Sequence, residues 1–136
     1  APNISVNPTG SAVACAWGTS VPAYTAFLHP HPARLTVVGW RSPFTGTVAV
    51  SGYVADRDPN GGDGVFWTVD KGSTTLASGD LSNGGALQPL ASGTGGSSLQ
   101  GIAVSTGDYL YLTINPKTGY DYDLTGVGFT ITELDP

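Results

Sequence analysis

From Thr47 to Val54 the chain changes character in strict alternation, with Val48, Val50 and Val54 on one side and Thr47, Ala49, Ser51 and Tyr53 on the other. Successive side chains of an extended strand point to opposite faces, so this spacing predicts a strand with one buried face. Comparable segments lie at 12–17, 34–42, 65–71, 74–81, 98–105, 108–115 and 125–133. Between them stand turn clusters such as Ser42-Pro43-Phe44-Thr45-Gly46, Asn60-Gly61-Gly62-Asp63-Gly64, Ser82-Asn83-Gly84-Gly85 and Thr106-Gly107-Asp108. Nowhere do apolar residues recur with helical spacing, and 20 Gly with 10 Pro punctuate the chain against long helices. Eight or nine short strands at this spacing predict an all-β chain folded as an antiparallel β-sandwich of the jelly-roll type.

A length of 136 residues fits one domain spanning 1–136. The Gly/Ser/Thr-rich stretch 91–98 is read as a long loop, because a break there would leave two pieces too small to fold alone. Pro22, Pro30 and Pro32 mark 22–33 as an irregular connection. Cys15 is the only cysteine, which excludes an internal disulfide and any paired-cysteine metal motif and suits a small buried apolar group. The chain has no methionine, opens Ala1-Pro2-Asn3 and closes Asp135-Pro136, which suits a mature secreted protein or a module cut from a longer one.

Charged residues make up only 11% of the chain, and five Lys plus Arg against ten Asp plus Glu give a net charge of −5. So few cations cannot neutralise a run of phosphates, which argues against nucleic acid and anionic membranes as partners. No apolar run approaches the length of a transmembrane helix. Motifs of catalysis are sparse too. The sequence has no G-x-S-x-G elbow, phosphate-binding loop or H-E-x-x-H, and Glu133 is its only glutamate, so the chain is read as a non-enzyme.

The densest polar cluster, Asp56-Arg57-Asp58-Pro59-Asn60-Gly61, opens like a calcium loop, with oxygen donors at alternate positions and glycine at the sharp turn. Trp67 occupies the place of the closing glutamate, so this is no EF-hand. Calcium takes six to eight oxygens. Asp56, Asp58, Asn60 and Asp63 would therefore need help from a second loop, for which Asp121 and Asp123 are the candidates. A plain solvated turn, with Asp and Asn capping backbone amides, is the competing account. His29 and His31 point to opposite faces of an extended segment and suit a loop-holding hydrogen bond better than shared metal ligation.

Aromatic residues carry the other signal. Three Trp and six Tyr are present, and sugar rings bind by laying their C–H faces on exposed aromatic rings. Strand phase puts Trp40 and Trp67 with the core and turns Tyr53, Tyr109 and Tyr111 outward. Tyr24, Tyr120 and Tyr122 fall in loops. Tyr53, Tyr109, Tyr111, Tyr24 and Tyr120 are thus the candidate stacking residues, with Arg41, Asp70 and Gln100 as hydroxyl partners.

The pattern Trp40-x-x-Pro43-x-x-Gly46-x-Val48-x-Val50-x-Gly52, the turn ending Gly62-Asp63-Gly64-Val65, then Val104-x-x-Gly107-Asp108-x-Leu110 and Tyr122-Asp123 resembles jelly-roll modules of bacterial extracellular proteins. Leu28-His29-Pro30 upstream fits the same pattern, so the resemblance covers about 28–133. Such modules are similar to carbohydrate-binding modules that accompany secreted glycoside hydrolases or cell-surface proteins. The resemblance implies a polysaccharide or oligosaccharide ligand, a secreted or cell-surface location, a neighbouring catalytic domain, and structural calcium near Asp56, Asp58 and Asp63 with Asp123 as partner. A structural or adhesion module that packs on another protein is the alternative, and an exposed apolar patch would be its mark.

Overall fold

The computed structural model describes residues 3–14 and 19–135. Cys15 and Trp17, and with them the end of the expected 12–17 strand, lie outside the described residues. In chain order the strands are β1 (Asn3–Val6), β2 (Val13–Ala14), β3 (Ser20–Val21), β4 (Ala26–His29), β5 (Thr36–Arg41) and β6 (Gly46–Asp56). They continue as β7 (Val65–Lys71), β8 (Thr74–Leu81), β9 (Gln88–Pro89), β10 (Ile102–Val104), β11 (Tyr109–Asn115) and β12 (Thr125–Glu133). Short 3-10 turns at Leu90–Ser92 and Gly96–Gln100 are the only helical pieces among the described residues.

Two sheets form an antiparallel β-sandwich, as the alternation predicts. One runs β1-β4-β12-β6-β10, with β9 also on β6; the other runs β5-β11-β7-β8. β2 and β3 make a small separate hairpin. Val48, Val50 and Val54 of β6, with Leu28 and Val127, face Trp67, Val69, Leu110, Leu112 and Ile114 across the core. Leu90 and Leu99, on the two 3-10 turns, close its side. Trp67 is the largest fully buried side chain among the described residues, and its Nε1–H donates to Gln88 Oε1 at 2.9 Å. Gly79 and Gly93 make room for it: a Cβ on Gly79 would lie 2.5 Å from the indole, and one on Gly93 would strike both the ring and Ser78 O.

The edges of the smaller sheet differ. Beside β8, Thr94 exchanges two backbone hydrogen bonds with Ser78, at 2.8 and 3.0 Å. β5 pairs with β11 on one side and with no strand on the other among the described residues. Leu35 and Val37 are exposed there.

Expectation and structure part at three places. The stretch 22–33 is not wholly irregular, because β4 sits inside it and pairs with both β1 and β12. Pro22 and Pro30 hid a four-residue strand whose Leu28 is fully buried. The segment 98–105 is strand only at Ile102–Val104; before it the chain makes a 3-10 turn that drives Leu99 into the core. Trp40 is only partly buried, packing on the rim of the core with its ring edge-on to Phe44, centroids 6.2 Å apart. Among the described residues twelve strands stand where eight or nine were expected, since two-residue and proline-bounded strands carry too little alternation to read.

Candidate metal and ligand sites

β6 and β12 pair so that Asp56 faces Thr125, which brings three loops together at one end of the sandwich: 57–64, 82–87 and 116–124. Each is tied to another. Asp56 Oδ1 accepts Asp58 N–H at 2.8 Å, and Asp56 Oδ2 accepts Gly84 N–H at 2.7 Å. Asp63 Oδ2 accepts from Thr118 N and Oγ1, at 3.1 and 2.5 Å. Lys117 Nζ donates to Asp63 O at 2.8 Å and pairs with Asp80 at 2.6 Å. Gly64, at φ +76°, packs against Leu81 O and Asn83 N; both the left-handed backbone and the lack of space there favour glycine.

Asp123 sits at the centre. It is only 2% exposed, and neither carboxylate oxygen has a hydrogen-bond partner among the described residues. Burial pushes its carboxyl up to about 7, and the nearby Asp63 and Asp56 charges push in the same direction. Asp63 moves the other way: chiefly the Thr118 hydroxyl, with backbone amides in support, holds its carboxyl below the usual value. Asp63 Oδ1 and Asn83 Oδ1 are also buried without partners. Five of the ten acidic residues gather at this end: Asp56 at the close of β6, and Asp58, Asp63, Asp121 and Asp123 in the loops.

Among the described residues, no three His, Cys, Asp or Glu side chains are gathered into a ready metal cage. The unpartnered acceptors are instead two carboxylates and one amide oxygen. That donor set fits a hard cation completed by main-chain carbonyls, as calcium accepts, and does not fit zinc. A shallow cavity lined by Asp56, Gly64, Val65, Leu81, Tyr122, Asp123 and Thr125 opens beside it. Asp58 and Asn60 are bonded to each other, Asn60 Nδ2 donating to Asp58 Oδ1 at 2.6 Å, and Asn60 is exposed. Sequence reading passed over Asn83; its only signal was membership of the Ser82-Asn83-Gly84-Gly85 turn.

The aromatic candidates divide among several places. Tyr109 and Tyr111 lie side by side on the outer face of the four-stranded sheet, parallel to within 3° and with centroids 5.5 Å apart. In register, Tyr109 is opposite Arg41, and Tyr111 lies between Gly39 and Asp70. A Cβ on Gly39 would come within 3.1 Å of the Tyr111 ring, so the glycine lets the ring settle across the neighbouring strand. Asp70 collects three hydroxyls, from Thr75 at 2.7 Å, Thr68 at 2.8 Å and Thr113 at 3.4 Å. Arg41 is exposed at the end of this strip.

The other candidates stand apart. Tyr53 projects from the outer face of the opposite sheet, its ring over Gly128. Tyr24 is exposed on the β3–β4 loop, with its hydroxyl beside Gly10. Tyr120 meets His29, and Gln100 ends the second 3-10 turn. No register or bond joins these four to the Tyr109–Tyr111 strip. Both histidines hold their loop, as expected: His29 Nδ1 lies 2.9 Å from Pro30 O, and His31 Nδ1 accepts Ala33 N–H at 3.2 Å.

No family model matches this sequence, and no curated protein matches it. Among solved structures the chain is similar to the CBM51 of Clostridium perfringens GH95 in complex with methyl-galactose. That similarity has a TM-score of 0.57 at 9% identity over 96% of this chain and 87% of the other. It is also similar, at a TM-score of 0.39 and 17% identity, to the C-terminal CBM6 of LamC from Zobellia galactanivorans, over 98% of this chain and 100% of that one. The first likeness is one of fold: a β-sandwich like that of a carbohydrate-binding module. No helix among the described residues is long and apolar enough to cross a membrane.

Proposed function

We propose that the protein is a non-catalytic carbohydrate-binding module of a secreted or cell-surface protein, with a structural calcium ion at its loop end. The observation that carries this reading is the parallel Tyr109–Tyr111 pair, set on a rigid sheet between Arg41 and Asp70. The two parallel rings, with centroids 5.5 Å apart, offer aromatic surface on which a sugar ring can stack. Arg41 supplies hydroxyl-directed donors, and the threonines that donate to Asp70 keep oxygen lone pairs free to accept. Gly39 opposite Tyr111 adds no side chain beside that ring, so an extended chain can lie across the strip there. The similarly folded module whose structure holds methyl-galactose lends the ligand class its support. Calcium is supported by the four unpartnered oxygens of Asp63, Asn83 and Asp123. Asp123, Asp63 and Asn83 would hold it, tying the three loops into one rigid end.

The test is a screen of glycan arrays and insoluble polysaccharides, run with calcium and with chelator. For the ligand so found, Tyr109→Ala and Tyr111→Ala are each expected to weaken binding by about 1–2 kcal/mol, roughly 5- to 30-fold. Binding that survives the double variant would overturn the platform. Failure to bind any glycan in either condition would overturn the carbohydrate reading and favour a module that packs on a protein partner.

A further inference from the structure

The outer face of the four-stranded sheet continues beyond Tyr111. Below the Tyr111–Asp70 pair, the next outward pair in register is Thr113 with Thr68, and the one after it is Asn115 with Phe66. Asp80 on β8 stands on the other side of Phe66. Thr113 and Thr68 both donate to Asp70 Oδ2, which ties the middle of this face to the tyrosine end. At about 3.4 Å per residue along a strand and about 4.8 Å between strands, Phe66 lies roughly 14 Å from Tyr111. Phe66 is 37% exposed, although Val65 and Trp67 on either side of it are buried. It takes no part in the core cluster, so core packing does not account for an aromatic ring at this position.

Both flanks of Phe66 are held by one residue. Asn115 Oδ1 accepts the Lys117 N–H at 2.8 Å, so the amide is oriented and its Nδ2 protons have no partner among the described residues. On the other side, Lys117 Nζ pairs with Asp80 Oδ1 at 2.6 Å and leaves Oδ2 as an acceptor. Lys117 does this with a φ of +60°. Such backbone costs energy in a non-glycine residue and persists where the surroundings impose it. Here a further bond, from Nζ to Asp63 O at 2.8 Å, anchors the same side chain. The result is an exposed ring between a fixed donor and a fixed acceptor, on the same face as the tyrosines.

We propose that Phe66, Asn115 and Asp80 form a distal glycosyl subsite of the Tyr109–Tyr111 strip, so that the module takes an internal stretch of an unbranched, neutral polysaccharide lying along the sheet. The C–H face of one sugar residue lies on Phe66, while its hydroxyls accept from Asn115 Nδ2 and donate to Asp80 Oδ2. Sugar residues between the two ends cross Thr113 and Thr68, whose hydroxyl protons already go to Asp70 and whose lone pairs accept. Asp70 and Asp80 along this path disfavour a polyanion. The subsite rests on the carbohydrate reading of the strip and adds a chain length and a direction to it. Two ring contacts on one chain act as linked sites, so affinity rises once the chain is long enough to reach both.

The test uses the full chain labelled with 15N, titrated with cellobiose, xylobiose and laminaribiose and then with the hexasaccharide of each. At least one hexasaccharide is expected to shift the amides of 66–68 and 80 and the Asn115 side-chain amide together with 109–113. It should bind about tenfold or more tighter than its disaccharide. Phe66→Ala is expected to weaken that hexasaccharide about fivefold or more and to leave the disaccharide unchanged. Phe66→Leu, which keeps an apolar side chain on the strand without the ring, should do the same. Hexasaccharide shifts confined to 39–41, 70 and 109–113 overturn the subsite and leave the strip standing. So does a hexasaccharide that binds no tighter than its disaccharide, or one whose affinity neither Phe66 variant changes. If no hexasaccharide shifts 109–113, the strip itself fails and the subsite with it.

Discussion

Chelator-treated protein brought to 10 mM calcium at pH 7.5 is expected to melt about 8 °C higher, from a ligand contribution of about 2.7 kcal/mol if the dissociation constant is near 0.1 mM. Asp123 makes the effect large. Its buried, unbonded carboxylate destabilises the cation-free fold, and a cation turns that same charge into an anchor. The pH dependence carries the sign. With the folded carboxyl at about 7 against an ordinary 3.8, the fold binds that proton more tightly than the unfolded chain does. In chelator its contribution is therefore fully present below about pH 4 and is lost as pH rises toward 7, by up to about 4 kcal/mol. Cation-free protein should thus melt higher at pH 5 than at pH 7.5, while calcium should favour the higher pH. Asp123→Asn removes the charge at every pH. The variant is expected to melt above wild type in chelator at pH 7.5 and to gain little from calcium. Differential scanning calorimetry across the two conditions decides it: equal calcium shifts in both proteins, or none in wild type, would sink the site.

Trp67→Ala is expected to cost about 3–5 kcal/mol, the range for emptying a large aromatic from a packed core. The indole is fully buried, bonded to Gln88, and bordered by the two glycines that make room for it. Gly79→Ala and Gly93→Ala should each cost about 1–3 kcal/mol by overpacking the same place from outside. In the smaller cavity of Trp67→Phe, Gly79→Ala should cost less than it does in wild type, because the new methyl then has somewhere to go. Urea denaturation of the single and double variants measures this. Additive losses would show that Gly79 is required by its strand's backbone and not by the indole.

The long strands were legible because their alternation is long. β7, β8 and β12 stand where the periodicity predicted them, and Val48, Val50 and Val54 face inward as their phase required. β4 was illegible for the opposite reason: Ala-Phe-Leu-His is too short to show a period, and prolines flank it. The loop-end group of carboxylates was half readable. The Asp-rich turn announced itself and Asp123 was paired with it across more than fifty residues, but Asn83 depends on a turn folding back from β8, which no local pattern encodes. The aromatic group was readable by face and not by neighbourhood. Phase turns Tyr53, Tyr109 and Tyr111 outward alike, yet it cannot say that strands β6 and β11 belong to different sheets, which places Tyr53 opposite the other two.

The open side of β5 has a consequence for assembly. An unpaired strand edge offers free N–H and C=O groups to any extended chain of matching length, including the same strand of a second molecule. Antiparallel pairing of two β5 strands would fuse two four-stranded sheets into one of eight, with both tyrosine pairs on a single continuous surface. Arg41 lies on this strand and Arg34 just before it, so the two copies would approach with like charges, which dilute salt would leave repelling and concentrated salt would screen. Raising the salt concentration should therefore favour the pair over the single molecule.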